Sequence, residues 1–276
     1  MSLLAELELV RALALEATTL VRTFSGPSVA VQRKHEDEPV SEADHAANDL
    51  IVRRLRAAFP GDGLLSEELP DDGSRLTHSR VWMVDPIDGT REFIRGENDY
   101  TIMIGLCVDG RPQVGVVAQP AHGLLWCGAA GEAAWKEGPD GDRVPLRVSS
   151  LAQPPGIRLV ASKSRRTADV DQFRQALGIT DEINVGSVGL KVGLIADGSR
   201  DLYVYPGGRT KKWDTCAPEA VIVAAGGRMT DTDGRPIAYR DPDVYNRTGI
   251  VASNGHLHDR VIATIAGLQR DAGREP

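Results

Sequence analysis

The chain has 276 residues, of which 41% are hydrophobic and 26% charged, and its formal net charge is −7 at pH 7. This composition is typical of a globular protein and excludes global disorder, and the length suits one large domain or two small ones. The negative charge argues against binding to a nucleic-acid polymer, because a phosphate backbone is bound by a basic surface.

Two helices are predicted at the start of the chain. Apolar residues recur at helical spacing over residues 3–22, and a second amphipathic pattern covers residues 41–59, where Ser41 is a typical N-cap residue. The polar residues 23–40 between them predict a loop or an edge hairpin. Charges interrupt the first apolar stretch, so it does not resemble a signal peptide, and no run approaches the roughly 20 apolar residues of a membrane span.

Residues 64–149 predict strands that form a mostly antiparallel sheet. The apolar run 80–86 is typical of a buried strand, and Pro86 is expected to end it. The runs 101–109 and 112–120 flank a Gly-Arg turn, which indicates a hairpin. This hairpin could form part of the core or of a dimer face, so the protein is expected to be a monomer or a homodimer.

Prolines and a glycine in residues 150–156 predict a boundary between an N-terminal α+β half, 1–150, and a C-terminal α/β half, 151–276. Strands and helices alternate in the second half, with helices expected near 168–177, 190–197 and 215–225. A cleft between two such halves is a typical ligand site. The three cysteines are too widely spaced for a zinc site or a disulfide framework, so a reduced, cytoplasmic protein is expected.

The strongest local signal is the sequence DPIDGT at residues 85–90. A tight turn after a strand can aim the carboxylates of Asp85 and Asp88 and the Ile87 carbonyl at one point, and such hard oxygen ligands suit Mg²⁺. Gly89 and Thr90 open a predicted helix, whose free N–H groups would hold an anion. On the spacing alone, an acidic turn with Asp88 as a helix cap is an equally good interpretation.

Other acidic residues become candidate metal ligands only in combination with this motif. Taken alone, Glu67 and Glu68 are typical of solvated acids, Asp44 of a charge at a helix start, and Asp214 of an N-cap. Together, clustered carboxylates would repel a phosphate ester, whereas the same cluster filled with Mg²⁺ would attract it. The sequence has no nucleophile elbow, no Walker A motif and no dinucleotide-binding fingerprint.

The DPIDGT motif, the earlier Ser66-Glu67-Glu68 and the later Trp213-Asp214 resemble, in this order, the lithium-sensitive, Mg²⁺-dependent inositol monophosphatase superfamily. These motifs spread over most of the chain. Residues 85–120 and 211–231 are further similar to the 3′(2′),5′-bisphosphate nucleotidases, including the bacterial sulfur-assimilation type. Those enzymes remove the 3′-phosphate of adenosine 3′,5′-bisphosphate, and the resemblance implies this activity, with the 5′-phosphosulfate as a further substrate.

The resemblance also implies an α+β fold, a layered αβαβα sandwich, and a site for two to three Mg²⁺ ions. The implied metal ligands are Glu67, Asp85, the Ile87 carbonyl, Asp88 and Asp214, with a weaker third ion near Glu67 and Asp44. The implied catalytic residues are Asp44, Thr90 and Glu67, of which Asp44 and Thr90 would orient and deprotonate the attacking water. The N–H groups of Gly89 and Thr90 would hold the phosphate.

Substrate contacts are implied for the second half of the chain. In the relatives a Ser/Thr-Arg-Ser-His turn contacts the 5′-phosphate side, and here the matching stretch is Ser162-Lys163-Ser164-Arg165, with arginine in place of histidine. Arginine also clamps phosphate well. The residues implied to bind substrate there are Ser162, Arg165, Gly189, Lys191 and Lys212.

Two other interpretations remain open at this point. The substrate could be inositol monophosphate or another small sugar or alcohol phosphate, in which case Glu219 would contact a hydroxyl group. A non-catalytic nucleotide sensor on the same scaffold would be expected to lack at least one metal ligand, and every ligand named above is present.

Overall fold

The computed structural model describes residues 2–24, 31–33, 39–164 and 168–271. Within these ranges, helices and sheets alternate in five layers: a helix pair, a seven-stranded sheet, a second helix pair, a five-stranded sheet and a third helix pair. Apolar clusters fill the spaces between the layers. This arrangement is the αβαβα sandwich that the sequence resemblance implies.

The first layer contains the two predicted helices. Helix α1 spans Leu4–Arg22 and helix α2 spans Glu42–Ala58, and both bury an apolar face against the first sheet. Ser41 is the N-cap of α2, as predicted. In the interval 23–40, β1 (Val31–Arg33) pairs antiparallel with β2 (Pro39–Ser41), as the predicted edge hairpin requires. Residues 25–30 and 34–38 of this interval lie outside the described ranges.

The first sheet follows the chain in order from β3 to β9, and only β3 and β4 are parallel. Pro86 does not end β4, contrary to the prediction: the strand continues to Asp88, and its pairing shifts between Asp85 and Asp88. A bulge tolerates a residue without an N–H group, which explains the difference. The strands are β3 (Gly63–Ser66), β4 (Arg80–Asp88), β5 (Thr101–Val108), β6 (Arg111–Gln119), β7 (Leu124–Ala129), β8 (Ala133–Glu137) and β9 (Arg143–Pro145).

The central helix layer consists of α5 (Val188–Ala196) and α6 (Lys212–Ala224). Helix α6 packs directly on the β5–β6 hairpin because glycines leave room for it. A Cβ atom on Gly115 would lie 2.1 Å from the carbonyl oxygen of Ala217, and one on Gly105 would lie 2.6 Å from its nitrogen. The hairpin is therefore part of the core of the chain, between this layer and α1.

The second sheet has the order β11-β10-β12-β14-β13, and β14 is antiparallel to both of its neighbours. Helices α4 and α7 cover the outer face of this sheet. The sequence patterns did not predict strand β14 or helix α7. No helix within the described ranges is both long and apolar enough to cross a bilayer. The elements are β10 (Arg158–Ser162), α4 (Ala168–Ala176), β11 (Asp181–Val185), β12 (Leu202–Tyr205), β13 (Arg228–Thr230), β14 (Ile250–Ser253) and α7 (His258–Asp271).

A buried histidine links the last helix to the second sheet. The side chain of His258 is 0% exposed, with Nε2 at 2.8 Å from Thr230 Oγ1 and Nδ1 at 2.9 Å from Ser253 Oγ. Burial, assisted by the positive charge of Arg228, lowers the pKa of His258 to about 4. The unfolded chain therefore takes up a proton before the folded chain does as the pH falls below its ordinary value of about 6.5.

We expect this histidine to make folding acid-sensitive. Between pH 7 and 4.5, the wild type should lose about 2 kcal/mol more free energy of unfolding than His258→Gln, because only the wild type must keep an imidazole neutral. Urea unfolding of both proteins across this pH range measures the difference. Parallel pH profiles for the two proteins would contradict the expectation.

Candidate active site

A cleft of about 110 Å³ lies where the two halves of the chain meet. Its wall is built from the ends of β3, β4 and β10, from β12, from the N-terminal turns of α5 and α6, and from α3 (Thr90–Ile94). The sequence-predicted residues that line it are Glu67, Asp85, Ile87, Asp88, Gly89, Thr90, Ser162, Lys191 and Asp214. The fold thus brings residues together that are up to 147 positions apart in the chain (67 to 214).

The turn from β4 into α3 depends on glycine at position 89. Gly89 has φ +100°, and a Cβ atom there would lie 3.0 Å from the carbonyl oxygen of Asp99, so a side chain would be strained and crowded. The turn places Thr90 so that its Oγ1 lies 3.1 Å from Asp44 Oδ1 and 3.1 Å from the Ile87 carbonyl oxygen. The predicted Asp44–Thr90 pair is therefore in direct contact.

Asp44 is itself fixed by the start of α2. Its Oδ2 accepts hydrogen bonds from the Ser41 N–H at 2.8 Å and from Ser41 Oγ at 2.5 Å. Burial raises the pKa of Asp44, and the hydrogen bonds from Ser41 act in the opposite direction. One carboxylate oxygen thus holds the helix cap while the other orients Thr90.

Four carboxylates, Glu67, Asp85, Asp88 and Asp214, form what we call the acidic end of the cleft. Asp85 is 2% exposed, and burial together with the charges of Glu67 and Asp88 raises its pKa well above the usual range. Burial and the charges of Asp88 and Glu67 do the same to the pKa of Asp214. The acidic end therefore gathers carboxylates that repel one another when they are ionised.

The acidic end offers oxygen donors of the kind that a hard divalent cation binds. Oδ1 of Asp85 is buried and has no hydrogen-bond partner among the described residues. No three His, Cys, Asp or Glu side chains in those ranges converge on one point as a complete ligand set. Mg²⁺ keeps several water ligands and needs few carboxylates, so the donor set fits this ion.

Asp88 connects the acidic end to helix α5. Its Oδ2 accepts hydrogen bonds from Ser187 Oγ at 2.6 Å and from the Gly189 N–H at 3.1 Å, and Ser187 Oγ also lies 2.7 Å from Thr101 Oγ1. Gly189 was predicted to bind substrate, but it is absent from the residues that line the cleft. The structure gives it a contact with Asp88 instead.

Positively charged side chains also line the cleft. Arg91, Lys191, Arg209 and Lys211 form what we call the basic wall. Of these four, sequence reasoning selected only Lys191. The basic residues within 209–212 are visible in the sequence. Which of them face the cleft is determined by the position at which α6 begins.

Helix α6 begins at Lys212, with Lys211 as its N-cap, so the structure does not support the prediction of Asp214 as the N-cap. Asp214 lies in the first turn, where its Oδ2 accepts the Lys211 N–H at 2.8 Å. Lys212 does not line the cleft: its Nζ lies 3.2 Å from Asn246 Oδ1 and 3.4 Å from the Tyr245 carbonyl oxygen. Successive helical residues point about 100° apart, which is why Lys211 faces the cleft in place of Lys212.

The structure describes residues 162–164 of the turn predicted at residues 162–165. Ser162 and Ser164 line the cleft, whereas Lys163 forms ion pairs with Glu97 and Asp99. Arg165, the residue that replaces the relatives' histidine, lies outside the described residues.

Glu219 is placed away from the cleft. Its Oε2 accepts a hydrogen bond from the Tyr239 hydroxyl at 2.7 Å, and burial raises its pKa to about 7. It is absent from the residues that line the cleft. The contact between Glu219 and a substrate hydroxyl that an inositol phosphate would need is therefore not supported by the structure.

A family model described as "Inositol monophosphatase family" matches residues 5–270. The chain belongs to the inositol monophosphatase family. Among relatives, a 3′(2′),5′-bisphosphate nucleotidase CysQ of Escherichia coli (strain K12) is 37% identical over 224 residues, which cover 81% of this chain and 88% of the relative. A 3′-phosphoadenosine 5′-phosphate phosphatase of Mycobacterium bovis is 36% identical over 208 residues, or 73% of each chain.

Solved structures of this family agree with the fold. The Thermotoga maritima IMPase has a TM-score of 0.81 and 24% identity, over 97% of this chain and 99% of that one. The inositol monophosphatase from Anabaena (Nostoc) has a TM-score of 0.78, also with 24% identity, over 97% of each chain. These inositol monophosphatase family structures share the layered architecture with this chain.

Proposed function

We propose that this protein is a Mg²⁺-dependent phosphomonoesterase that removes the 3′-phosphate of adenosine 3′,5′-bisphosphate and releases AMP and phosphate. The 5′-phosphosulfate of the same nucleoside is a further substrate in this proposal. The names of the relatives that are 36–37% identical support it.

The observation that carries the proposal is that one cleft is lined both by the four carboxylates of the acidic end and by the four cationic side chains of the basic wall. The acidic end can bind a phosphate group only when cations are bound there as well. For a substrate with a single phosphate, the acidic end and its cations would be sufficient. The basic wall adds cationic side chains, including Arg209 and Lys211, which suit a second anionic group on the same substrate. A bisphosphate nucleotide matches both sets of side chains.

The residues that would hold two Mg²⁺ ions all line the cleft: Glu67, Asp85, the Ile87 carbonyl, Asp88 and Asp214. A third ion would lie near Glu67 and Asp44, and Asp44 is joined to the cleft by its contact with Thr90. When bound, the ions supply positive charge that stabilises the negative charge developing on the phosphoryl oxygens. Gly89 and Thr90 line the cleft next to these residues, and their N–H groups are the backbone donors proposed to hold the phosphate.

Thr90 and Asp44 carry the proton transfer in this proposal. The hydrogen bond from Thr90 Oγ1 to Asp44 Oδ1 directs the hydroxyl proton towards the carboxylate and leaves an oxygen lone pair for a water molecule. As the water attacks phosphorus, its proton moves to Thr90 Oγ1 and that of Thr90 moves to Asp44. The bond between phosphorus and the ribose oxygen on the opposite side breaks, and that oxygen takes a proton from solvent water. Ser41 keeps Asp44 in place through the second carboxylate oxygen.

The test compares adenosine 3′,5′-bisphosphate with inositol 1-phosphate in phosphate-release assays with Mg²⁺. We expect kcat/KM to favour the nucleotide by at least about 30-fold, the equivalent of one charge-assisted hydrogen bond of about 2 kcal/mol. A preference for inositol 1-phosphate would overturn the substrate assignment and leave the phosphatase assignment standing. No release from either ester, nor from other phosphomonoesters, would favour a non-catalytic sensor.

Substitutions in the basic wall test whether its side chains determine the preference for the nucleotide over inositol 1-phosphate. Arg209→Gln should raise KM for the nucleotide by about 10-fold and leave inositol 1-phosphate unaffected, because only the nucleotide carries a second phosphate. Arg228→Gln is the matched control, since Arg228 lies outside the cleft in an exposed ion pair with Asp259. Equal effects of the two variants would show that the basic wall does not select the substrate.

A further inference from the structure

Two residues of the basic wall, Arg209 and Lys211, lie in the connection 206–211 between β12 and α6. Lys211, the last residue of this connection, has an extended backbone, with φ −113° and ψ 171°. The backbone groups of such a connection find their hydrogen-bond partners in other segments. The direction of its side chains therefore depends on the residues that pack against it.

The segment that packs against the connection is 244–246. Lys211 is paired antiparallel with Tyr245, and its Nζ lies 5.7 Å from the centroid of the Tyr245 ring, within the range of a cation–π contact. The N–H group of Asn246 donates a hydrogen bond to the Thr210 carbonyl oxygen at 2.7 Å. This pairing brings the Asn246 side chain to the point where the connection enters α6.

The amide of Asn246 joins three consecutive residues at this point. Asn246 is 6% exposed, and its Nδ2 donates to the Lys211 carbonyl oxygen at 3.1 Å and to Thr210 Oγ1 at 3.2 Å. Its Oδ1 accepts a hydrogen bond from Lys212 Nζ at 3.2 Å. An ammonium group only donates and a carbonyl oxygen only accepts, so these contacts determine the orientation of the amide.

Helix α6 itself is held by other contacts. Ala217, in its second turn, packs on Gly105 and Gly115 of the first sheet. Asp214 belongs to the first turn of the same helix, so its position follows mainly from that packing. The contacts of Asn246 therefore act on the connection that carries part of the basic wall, and much less on the acidic end.

Resting on the proposed function, we propose that Asn246 is a positioning residue that holds Arg209 and Lys211 where they bind the second phosphate of the bisphosphate nucleotide. Asn246 is absent from the residues that line the cleft, so it acts through these two side chains and not by contact with the substrate. Lys212 orients the Asn246 amide from the opposite side. The contact determines the preference for a nucleoside bisphosphate over a monophosphate of the same nucleoside.

The test uses Asn246→Asp with adenosine 3′,5′-bisphosphate and adenosine 3′-monophosphate, which differ only in the 5′-phosphate. Aspartate has nearly the same shape and keeps an acceptor for Lys212, but it replaces the NH₂ donor with an oxygen that faces the Lys211 carbonyl oxygen. We expect KM for the bisphosphate to rise about 10-fold with kcat within about 3-fold, and both constants for the monophosphate to stay within about 3-fold. If the monophosphate is not turned over, its inhibition constant replaces KM. Asn246→Ala, which removes the donor without adding a charge, should give the same pattern.

Asn254 provides a matched control for the loss of a buried amide. It is 0% exposed and does not line the cleft, and its Nδ2 donates to Ser149 Oγ at 2.9 Å and to the Leu151 carbonyl oxygen at 2.7 Å. Asn254→Asp makes the same chemical change and should lower the unfolding midpoint without changing KM for either nucleotide. If Asn254→Asp raised KM for the bisphosphate selectively as well, the effect would follow from lost stability and the inference would be overturned.

A further comparison shows whether Asn246 acts through the basic wall. In the background Arg209→Gln/Lys211→Met, Asn246→Asp should change KM for the bisphosphate by less than about 2-fold, because the side chains that it positions are gone. A full 10-fold effect in that background, or an unchanged KM in Asn246→Asp alone, would overturn the inference. A wild type that hydrolyses neither nucleotide would overturn the proposed function instead, so the two failures are distinguishable.

Discussion

Asp85→Asn is expected to lower kcat/KM by about 10³-fold, because the variant loses a ligand charge at the centre of the acidic end. The same change should stabilise the protein in the presence of EDTA, raising the unfolding midpoint by roughly 3 °C or more. The reason is that Asp85 is buried among Glu67, Asp88 and Asp214, and asparagine removes one of four repelling charges. Activity and stability should therefore change in opposite directions.

The pH dependence of this stabilisation has a defined sign. Folding raises the pKa of Asp85, so its ionisation destabilises the folded state, and the destabilisation grows as the pH rises above the unfolded-state value near 4. The gain from Asp85→Asn should be larger at pH 7.5 than at pH 4, where the wild-type carboxyl group is protonated. Thermal unfolding in EDTA at both pH values measures it.

A surface substitution provides the control for Asp85→Asn. Asp140 is exposed in the turn between β8 and β9, so Asp140→Asn should leave both activity and unfolding midpoint unchanged. If Asp85→Asn were to retain wild-type activity at ordinary Mg²⁺ concentrations, the acidic end would not be the metal site.

Thr90→Ala should lower kcat by about 10²-fold or more while KM changes by less than about 3-fold, because the hydroxyl acts on the water and not on substrate binding. Thr90→Ser keeps the hydroxyl at the position that bonds Asp44 Oδ1 and should retain most of the activity. Steady-state kinetics of the two variants with adenosine 3′,5′-bisphosphate give the comparison. A rise in KM alone for Thr90→Ala would assign Thr90 to phosphate binding rather than to water activation.

The sequence predicted most of the elements that depend on local patterns. Helices α1 and α2, the β5–β6 hairpin and the alternating second half follow from periodicity and turn residues, which act over short distances. The continuation of β4 beyond Pro86 was not predictable, since it depends on a pairing shift with a neighbouring strand. Strand β14 and helix α7 were also missed.

The metal-ligand candidates were visible because their chemistry is concentrated in short motifs. Asp85, Asp88 and Thr90 lie within one turn, and the residues implied for the rest of the acidic end, Glu67 and Asp214, line the same cleft. The choice of basic residues was much less accurate. Lys212 was selected, whereas Arg91, Arg209 and Lys211 line the cleft, because a lysine in a basic run gives no local sign of the direction in which it points.

By itself, the sequence determined the family, the acidic motifs and the order of most elements, because motif spacing and hydrophobic period are properties of neighbouring residues. Only the tertiary structure decided which charges share one cleft. The packing of α6 on Gly105 and Gly115, and of Glu92 on Gly186, brings together residues from both halves of the chain. Such contacts depend on close approach between distant segments, which no local pattern records.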